Sequence, residues 1–185
     1  MGRWQGHLDV PLSDLGERQA VEAAVHLGPV DAIWASDLVR ARRTAELIAA
    51  SRRLSVTVDA RFRERHGGAW QGLTRAEIEA RWPGHLEDGR RPEGYESHES
   101  VVTRALAALN GLAATHPDET VLVVTHGGVV RTLERELQDT SRGSGADLIP
   151  NLGGRYIERD SVGAWRLGDA IVLLPDDSIT APSSL

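Results

Sequence analysis

The segment that most restricts the fold of this chain runs from Val121 to Gly128 and reads Val-Leu-Val-Val-Thr-His-Gly-Gly. Its unbroken aliphatic run predicts a strand that is buried on both faces of a parallel sheet. A helical pattern follows over Val129–Leu137. Because ligands of such sheets bind beyond the carboxyl ends of the strands, His126 lies where chemistry is expected, next to a helix N-terminus that favours anions. A histidine that only ends the strand and bonds to backbone is the alternative.

Residue usage excludes several kinds of catalysis. The 185-residue chain has no cysteine, which excludes thiol catalysis, disulfides and thiolate metal sites. All 21 basic residues are arginine, so Schiff-base and P-loop lysine chemistry are excluded as well. Arginine remains, and its guanidinium binds phosphate or carboxylate through two parallel hydrogen bonds. Genomic base composition also accounts for this bias.

Size and charge indicate the setting in which the chain works. The length predicts one domain, residues 1–175, followed by a frayed tail, residues 176–185. The net charge of −6 argues against binding to nucleic acid or to an anionic membrane. The sequence shows no signal peptide and no apolar stretch long enough to cross a bilayer, so we expect a cytoplasmic protein.

Strand and helix patterns alternate along the chain, which predicts an α/β fold with a largely parallel sheet. Ser13 and Ser36 are expected to cap the first two helices, and Thr74 with Glu77 forms a capping box for a short third helix. A hairpin is expected at a sheet edge. The predicted helices cover residues 14–27, 37–50 and 99–115, the strands 32–35 and 54–58, the hairpin 155–158 and 163–167, and a long loop 140–154.

Two further charged residues lie where such a sheet would bind a ligand. Arg40 falls in the first turn of a helix that follows a strand, where a cation is locally unfavourable unless an anion binds there. Glu64 lies in a glycine-bearing loop and could act as a general acid, although a single loop glutamate is more often merely solvated. The other histidines have no ligand spacing and are expected at the surface; they include His7, His26, His85, His98 and His116.

Taken in order, these motifs resemble the histidine phosphatase superfamily, branch 1, which is also called phosphoglycerate-mutase-like. Each motif alone is weak, but the ordered set is specific and covers nearly the whole chain. The resemblance implies a three-layer α/β/α fold. The matching segments are Gly2–Ala20, Ser36–Ala45 (Ser-x-x-x-Arg-x-x-x-Thr-Ala), Phe62–Gly72 (Arg-Glu-x-x-x-Gly-x-Trp-x-Gly), Gly94–Ser97 and the histidine with two glycines at 126–128.

The resemblance also implies a mechanism. In this family a histidine near the N-terminus attacks the phosphoryl group and forms a phosphohistidine. By resemblance, Arg40, His126 and Gly127 bind the phosphate, and His126 also stabilises the oxygens of the group in transfer. Glu64 protonates the leaving alkoxide and then activates water. No metal or other cofactor is implied.

One family motif is missing. The nucleophile lies in an Arg-His-Gly signature that should follow a strand ahead of Gly2, and the sequence contains no such segment there. Arg65-His66-Gly67 imitates the signature, but it follows Glu64 instead of an apolar strand. We therefore predict that the chain as written is inactive and folds poorly alone. A shortened start is the favoured explanation; completion by another chain and a non-catalytic descendant are the alternatives.

The favoured function is hydrolysis of a small phosphorylated metabolite. A cofactor-dependent phosphoglycerate mutase is the second hypothesis, but mutases of this group have an insertion after the glutamate loop and an aromatic residue where Gly67 stands. A phospholigand-binding protein without catalysis is the third. No nucleic-acid or membrane partner is expected, and the resemblance is compatible with a homodimer.

Overall fold

Three parallel strands form the centre of the molecule in a computed structural model that describes residues 2–138 and 149–174. They are β1 (Ala32–Ala35), β2 (Val56–Val58) and β3 (Val121–Val124), in the order β2-β1-β3. Ile33 of the central strand lies opposite Val56 on one side and Leu122 on the other. The predicted parallel α/β sheet is confirmed, while the tail at 176–185 and residues 140–148 of the predicted loop lie outside the described residues.

The described residues also form five α-helices, and two short 3-10 turns lie in the loop after β2. These elements are α1 (Asp14–His26), α2 (Val39–Ala50), α3 (Arg75–Arg81), α4 (His98–Thr115), α5 (Gly127–Leu137), and the turns Ala60–Phe62 and Gly68–Trp70. Alternate residues of β3 face different helices: Leu122 and Val124 pack on the α1–α2 side, and Val123 packs on the α4–α5 side. The alternation of side chains along the strand thus divides the core into two apolar layers.

The predicted hairpin forms, but it does not extend the parallel sheet. Strands β4 (Gly153–Arg159) and β5 (Trp165–Val172) pair with each other as a separate antiparallel sheet of two strands. Ile157 packs on the α4–α5 side and Ile171 on the α1–α2 side, so the hairpin closes the end of both apolar layers. The expectation of a hairpin at a sheet edge was therefore correct about the hairpin and wrong about its sheet.

Two of the three predicted helix caps are present. The Ser13 side chain accepts from the Gly16 N–H, and Thr74 with Glu77 forms the expected capping box. Ser36 does not cap α2, which begins later, at Val39. The Asp9 carboxylate accepts from the Val39 N–H at 2.6 Å instead, so an N-terminal loop provides the anion that this helix end favours.

Candidate active site

Arg40, Glu64 and His126 come from three loops at the same edge of the sheet. Arg40 lies in the first turn of α2 after β1, Glu64 follows the 3-10 turn after β2, and His126 precedes α5 after β3. Parallel strands bring these loops together at their carboxyl ends. The three side chains interact electrostatically. Burial lowers the pKa of Arg40 and the pKa of His126, the Glu64 carboxylate opposes the first shift, and the Arg40 guanidinium adds to the second. The structure thus brings the predicted site residues together.

The Glu64 carboxylate lies against the N-terminus of α5. One oxygen accepts from the Gly128 N–H at 3.1 Å, and the other accepts from the Arg65 N–H at 2.7 Å. A Cβ atom at Gly128 would lie 2.2 Å from the Glu64 Oε1 atom, so any larger residue would displace this carboxylate. A Cβ at Gly127 would first meet the Arg131 guanidinium at 3.7 Å, an ordinary contact. The second glycine of the pair is therefore explained by the approach of Glu64.

His126 is buried and electrically neutral. Only 8% of the residue is exposed, and its Nε2 atom has no hydrogen-bond partner among the described residues. Burial lowers the pKa of His126 to about 3, and the cationic side chains of Arg40 and Arg104 add to the effect. A neutral imidazole with an unused ring nitrogen can donate a hydrogen bond to an anionic oxygen. A dianion bound nearby would in turn raise this pKa.

The Arg40 guanidinium binds main-chain carbonyls of the N-terminal loop. Its two terminal nitrogens donate to the Leu8 carbonyl at 2.8 Å and to the Gly6 carbonyl at 2.9 Å. Burial lowers the pKa of its guanidinium, and the carboxylates of Glu64 and Asp9 oppose this shift, but an arginine remains charged at neutral pH. Within residues 2–138 and 149–174 it forms no ion pair, so its charge is available to an anionic ligand.

The chain matches a known protein family over most of its length. A family model described as histidine phosphatase superfamily (branch 1) matches residues 1–163. The chain belongs to this superfamily. The match spans all three candidate site residues as well as the hairpin strand β4.

Several relatives of this superfamily member are enzymes of phosphate-ester metabolism by name. The chain is 41% identical over 150 residues to a glucosyl-3-phosphoglycerate phosphatase of Mycobacterium tuberculosis, covering 73% of the chain and 67% of the relative. It is 38% identical over 149 residues to phosphoglycerate mutase-like protein 4 of Arabidopsis thaliana, covering 75% and 65%. The chain thus spans about two thirds of the length of these relatives.

A solved structure shares the architecture. The mycobacterial glucosyl-3-phosphoglycerate phosphatase in complex with inorganic phosphate superposes with a TM-score of 0.78 at 34% identity. The alignment covers 90% of this chain and 90% of that one. That structure is a complex of a protein of this fold with inorganic phosphate, and the similarity confirms the phosphoglycerate-mutase-like architecture.

A buried ion pair that the sequence did not reveal holds the Glu64 loop. Arg104 of α4 donates to the main-chain carbonyls of Arg61 and Arg63, both at 2.6 Å, and to that of Glu64 at 3.2 Å. It also pairs with Glu96 at 2.7 Å, and the two side chains are only 17% and 12% exposed. The segment at 94–97 was recognised as a motif, but nothing in the sequence linked it to an arginine on α4.

Glu96 holds the other side of the Glu64 loop, and the pair Arg104–Glu96 is called the clamp below. Its carboxylate accepts from the His66 N–H at 3.1 Å and from the Ser100 hydroxyl at 2.9 Å. Burial alone would raise the pKa of Glu96, but Arg104 and these donors hold it below its ordinary value. The carboxylate is therefore ionised at neutral pH, and the loop is fixed from both sides.

His7 is a second residue that the sequence analysis misplaced. It was expected at the surface, but its ring is partly buried and its Nε2 atom lies 2.6 Å from the Glu64 carbonyl oxygen. Burial lowers its pKa, so the imidazole is neutral and donates to this oxygen. Its ring also meets that of His66 edge to face at 4.9 Å. The signal in the sequence was the segment Gly2–Ala20, which contains His7 and resembles the family.

His66 is placed as expected for a loop histidine. It follows no strand, and its Nδ1 atom lies 3.1 Å from the Gly68 N–H, which donates to it. The Gly94 carbonyl lies 3.0 Å from the same nitrogen. The prediction that His66 is not the nucleophile is untested by these contacts, and it stays a prediction.

A cleft of about 2130 Å³ continues from the site along β3 to β4. Among the described residues, β3 pairs only with β1, so its second edge faces this cleft. The same part of the chain has no group of three or more histidine, aspartate or glutamate side chains arranged to hold a metal ion.

None of the helices in the described residues has the length and apolar character needed to cross a membrane.

Proposed function

We propose that this histidine phosphatase hydrolyses a small phosphomonoester, with the phosphoryl group bound between Arg40, His126 and the Gly127 N–H. The convergence of Arg40, Glu64 and His126 at the carboxyl edge of the sheet carries the proposal. A cation, a helix N-terminus and a buried neutral imidazole with an unused nitrogen together favour a dianion. The solved relative in complex with inorganic phosphate supports the same chemistry.

The reaction takes place in two steps. A histidine nitrogen attacks phosphorus, the P–O ester bond breaks, and the leaving alkoxide takes the proton of the Glu64 carboxyl. Glu64, now ionised, accepts a proton from water while the water oxygen attacks phosphorus. The P–N bond then breaks, and inorganic phosphate leaves.

The attacking histidine is expected outside the residues that form this site. The free edge of β3 faces a cleft lined on its far side by β4, so a strand supplied there would have partners for its backbone groups on both sides. If that strand ran parallel to β3, the residue after it would lie beside His126. This supports the expectation that an Arg-His-Gly segment from outside the described residues completes the site.

The packing of Gly67 favours a phosphatase over a mutase. A Cβ at Gly67 would lie 3.0 Å from the Gln71 side chain and 3.3 Å from the Trp4 ring. The aromatic residue that mutases of this group carry here has no room unless Trp4 and Gln71 move. The likeness to a glucosyl-3-phosphoglycerate phosphatase supports the same choice.

The test compares phosphate release by residues 1–185 with release by the same chain extended upstream through an in-frame Arg-His-Gly. We expect turnover only from the extended protein, and we expect Glu64→Gln to lower its kcat by about 10²–10⁴-fold. Turnover by residues 1–185 that survives His66→Ala would contradict the expected missing nucleophile. Phosphate binding without turnover by either protein would favour the non-catalytic hypothesis, and turnover that requires 2,3-bisphosphoglycerate would favour the mutase.

A further inference from the structure

His7 lies in the N-terminal loop between two residues whose carbonyls bind Arg40. The carbonyl oxygens of Gly6 and Leu8 accept from the Arg40 guanidinium at 2.9 Å and 2.8 Å. The His7 N–H donates to the Gln71 Oε1 atom at 2.6 Å. Gly6 adopts a φ of +52°, which glycine allows without strain. The main chain on both sides of the His7 ring is therefore held in place.

The His7 ring binds the peptide group that joins Glu64 to Arg65. Its Nε2 atom donates to the Glu64 carbonyl oxygen at 2.6 Å, and Arg104 donates to the same oxygen over a longer distance, 3.2 Å. At the other end of this peptide group, the Arg65 N–H donates to the Glu64 carboxylate at 2.7 Å. A peptide group is planar and trans, so its C=O and N–H point in opposite directions and turn together. The His7 bond therefore fixes the direction of the N–H that holds the carboxylate.

We propose that His7 is a positioning residue for Glu64, acting through the Glu64–Arg65 peptide group. This inference rests on the proposed function, in which Glu64 protonates the leaving alkoxide. Without the His7 donor, the carbonyl of this peptide group keeps only its Arg104 bond among the described contacts, so the group turns more easily and the carboxylate loses its fixed direction. The carbonyls that bind Arg40 flank His7, so the same segment also sets the distance between the phosphate-binding cation and the acid.

The leaving group of the substrate reveals whether His7 acts through Glu64. An alkyl ester leaves as a strongly basic alkoxide that needs the Glu64 proton, whereas 4-nitrophenyl phosphate leaves as a weakly basic phenolate that needs little help. The parameter kcat/KM covers substrate binding and the step in which the leaving group departs. A weaker hold on Glu64 should therefore lower kcat/KM for an alkyl ester far more than for the aryl ester.

The test measures kcat/KM for propyl phosphate and for 4-nitrophenyl phosphate with the chain extended upstream through an in-frame Arg-His-Gly. We expect His7→Leu, which removes the donor, to lower the alkyl-to-aryl ratio of kcat/KM about tenfold, the size of one hydrogen bond. His7→Gln places an amide nitrogen at the same reach and should restore most of the ratio. His26→Leu is the matched control, since His26 is exposed on α1, and should leave the ratio unchanged. Because both esters are measured on one preparation, the ratio does not depend on the folded fraction.

An NMR measurement follows the same contact without turnover. In residues 1–185, His7→Leu should shift the amide signal of Arg65, and His7→Gln should return it towards its original position. The role of His7 alone is overturned by an unchanged ratio, by an equal fall for both esters, by a loss that His7→Gln does not restore, or by an Arg65 signal that stays in place in the His7→Leu protein. Absence of turnover of both esters by the extended protein without substitutions would overturn the role of His7 together with the proposed function.

Discussion

The loop that carries Glu64 and the strand that precedes His126 are held very differently. The carbonyls of Arg63 and Glu64 each accept from the Arg104 guanidinium, which is paired in turn with Glu96. Strand β3, by contrast, bonds to β1 on one edge and faces a cleft on the other, as far as the described residues show. The proposed acid is thus positioned by this chain itself, while the side of the site next to His126 is open. Under the proposed function, the proton-transfer half of the site is formed by these residues, and the nucleophilic half is expected along β3.

The largest effect is expected from breaking the clamp on the Glu64 loop. Arg104→Gln leaves the Glu96 carboxylate buried without its cation, which should lower the free energy of unfolding by about 3–5 kcal/mol. Arg42→Gln removes an exposed ion pair with Glu46 and should cost less than about 1 kcal/mol. Urea unfolding of both variants measures the difference. Equal losses would show that the clamp is no stronger than a surface pair.

The pH dependence of stability tests the burial of His126. Its native pKa of about 3 lies below the unfolded value of 6.5, so the unfolded chain binds more protons between these values and stability falls as pH falls through this window. Between pH 6.5 and pH 5 the loss from this group should be about 2 kcal/mol.

His126→Gln should remove most of this pH-dependent loss, whereas His26→Gln changes an exposed histidine and should leave it in place. Urea unfolding at pH 5 and pH 7 makes the comparison. If the free energy of unfolding changes equally with pH in the His126→Gln protein and in the unmodified chain, another group causes the change.

The smallest change in stability is expected from Gly128→Ala, although this substitution should break the hydrogen bond between Glu64 and Gly128. The alanine Cβ would displace the Glu64 carboxylate, but this is the end of a flexible side chain and can swing away. We therefore expect Gly128→Ala to change the free energy of unfolding by less than about 1 kcal/mol while the Glu64–Gly128 hydrogen bond is lost.

Amide and carboxyl NMR shifts at these two residues report this bond. Gly127→Ala, whose Cβ has space, is the control and should leave the Glu64 carboxyl signal unchanged. Unchanged Glu64 signals in the Gly128→Ala protein would contradict the close approach.

Local signals in the sequence predicted the helices, the strands and the three candidate residues, because each depends on neighbours in the chain or on an ordered set of motifs. Partners that are distant in sequence could not be predicted in this way. Asp9 caps α2 across 30 residues, and Arg104 binds the Glu64 carbonyl across 40. The β4–β5 hairpin likewise forms a separate sheet because of the residues that surround it in space, which its own sequence does not reveal.

The central claim is that Arg40, Glu64 and His126 form one phosphate pocket. It is tested most directly by titrating the full chain with inorganic phosphate while following the ring signals of His126 by NMR across pH. The account predicts that phosphate shifts these signals and raises the pKa of His126, and that Arg40→Gln weakens the effect strongly. Phosphate that leaves His126 unaffected, or that acts equally on the Arg40→Gln protein, would contradict the claim.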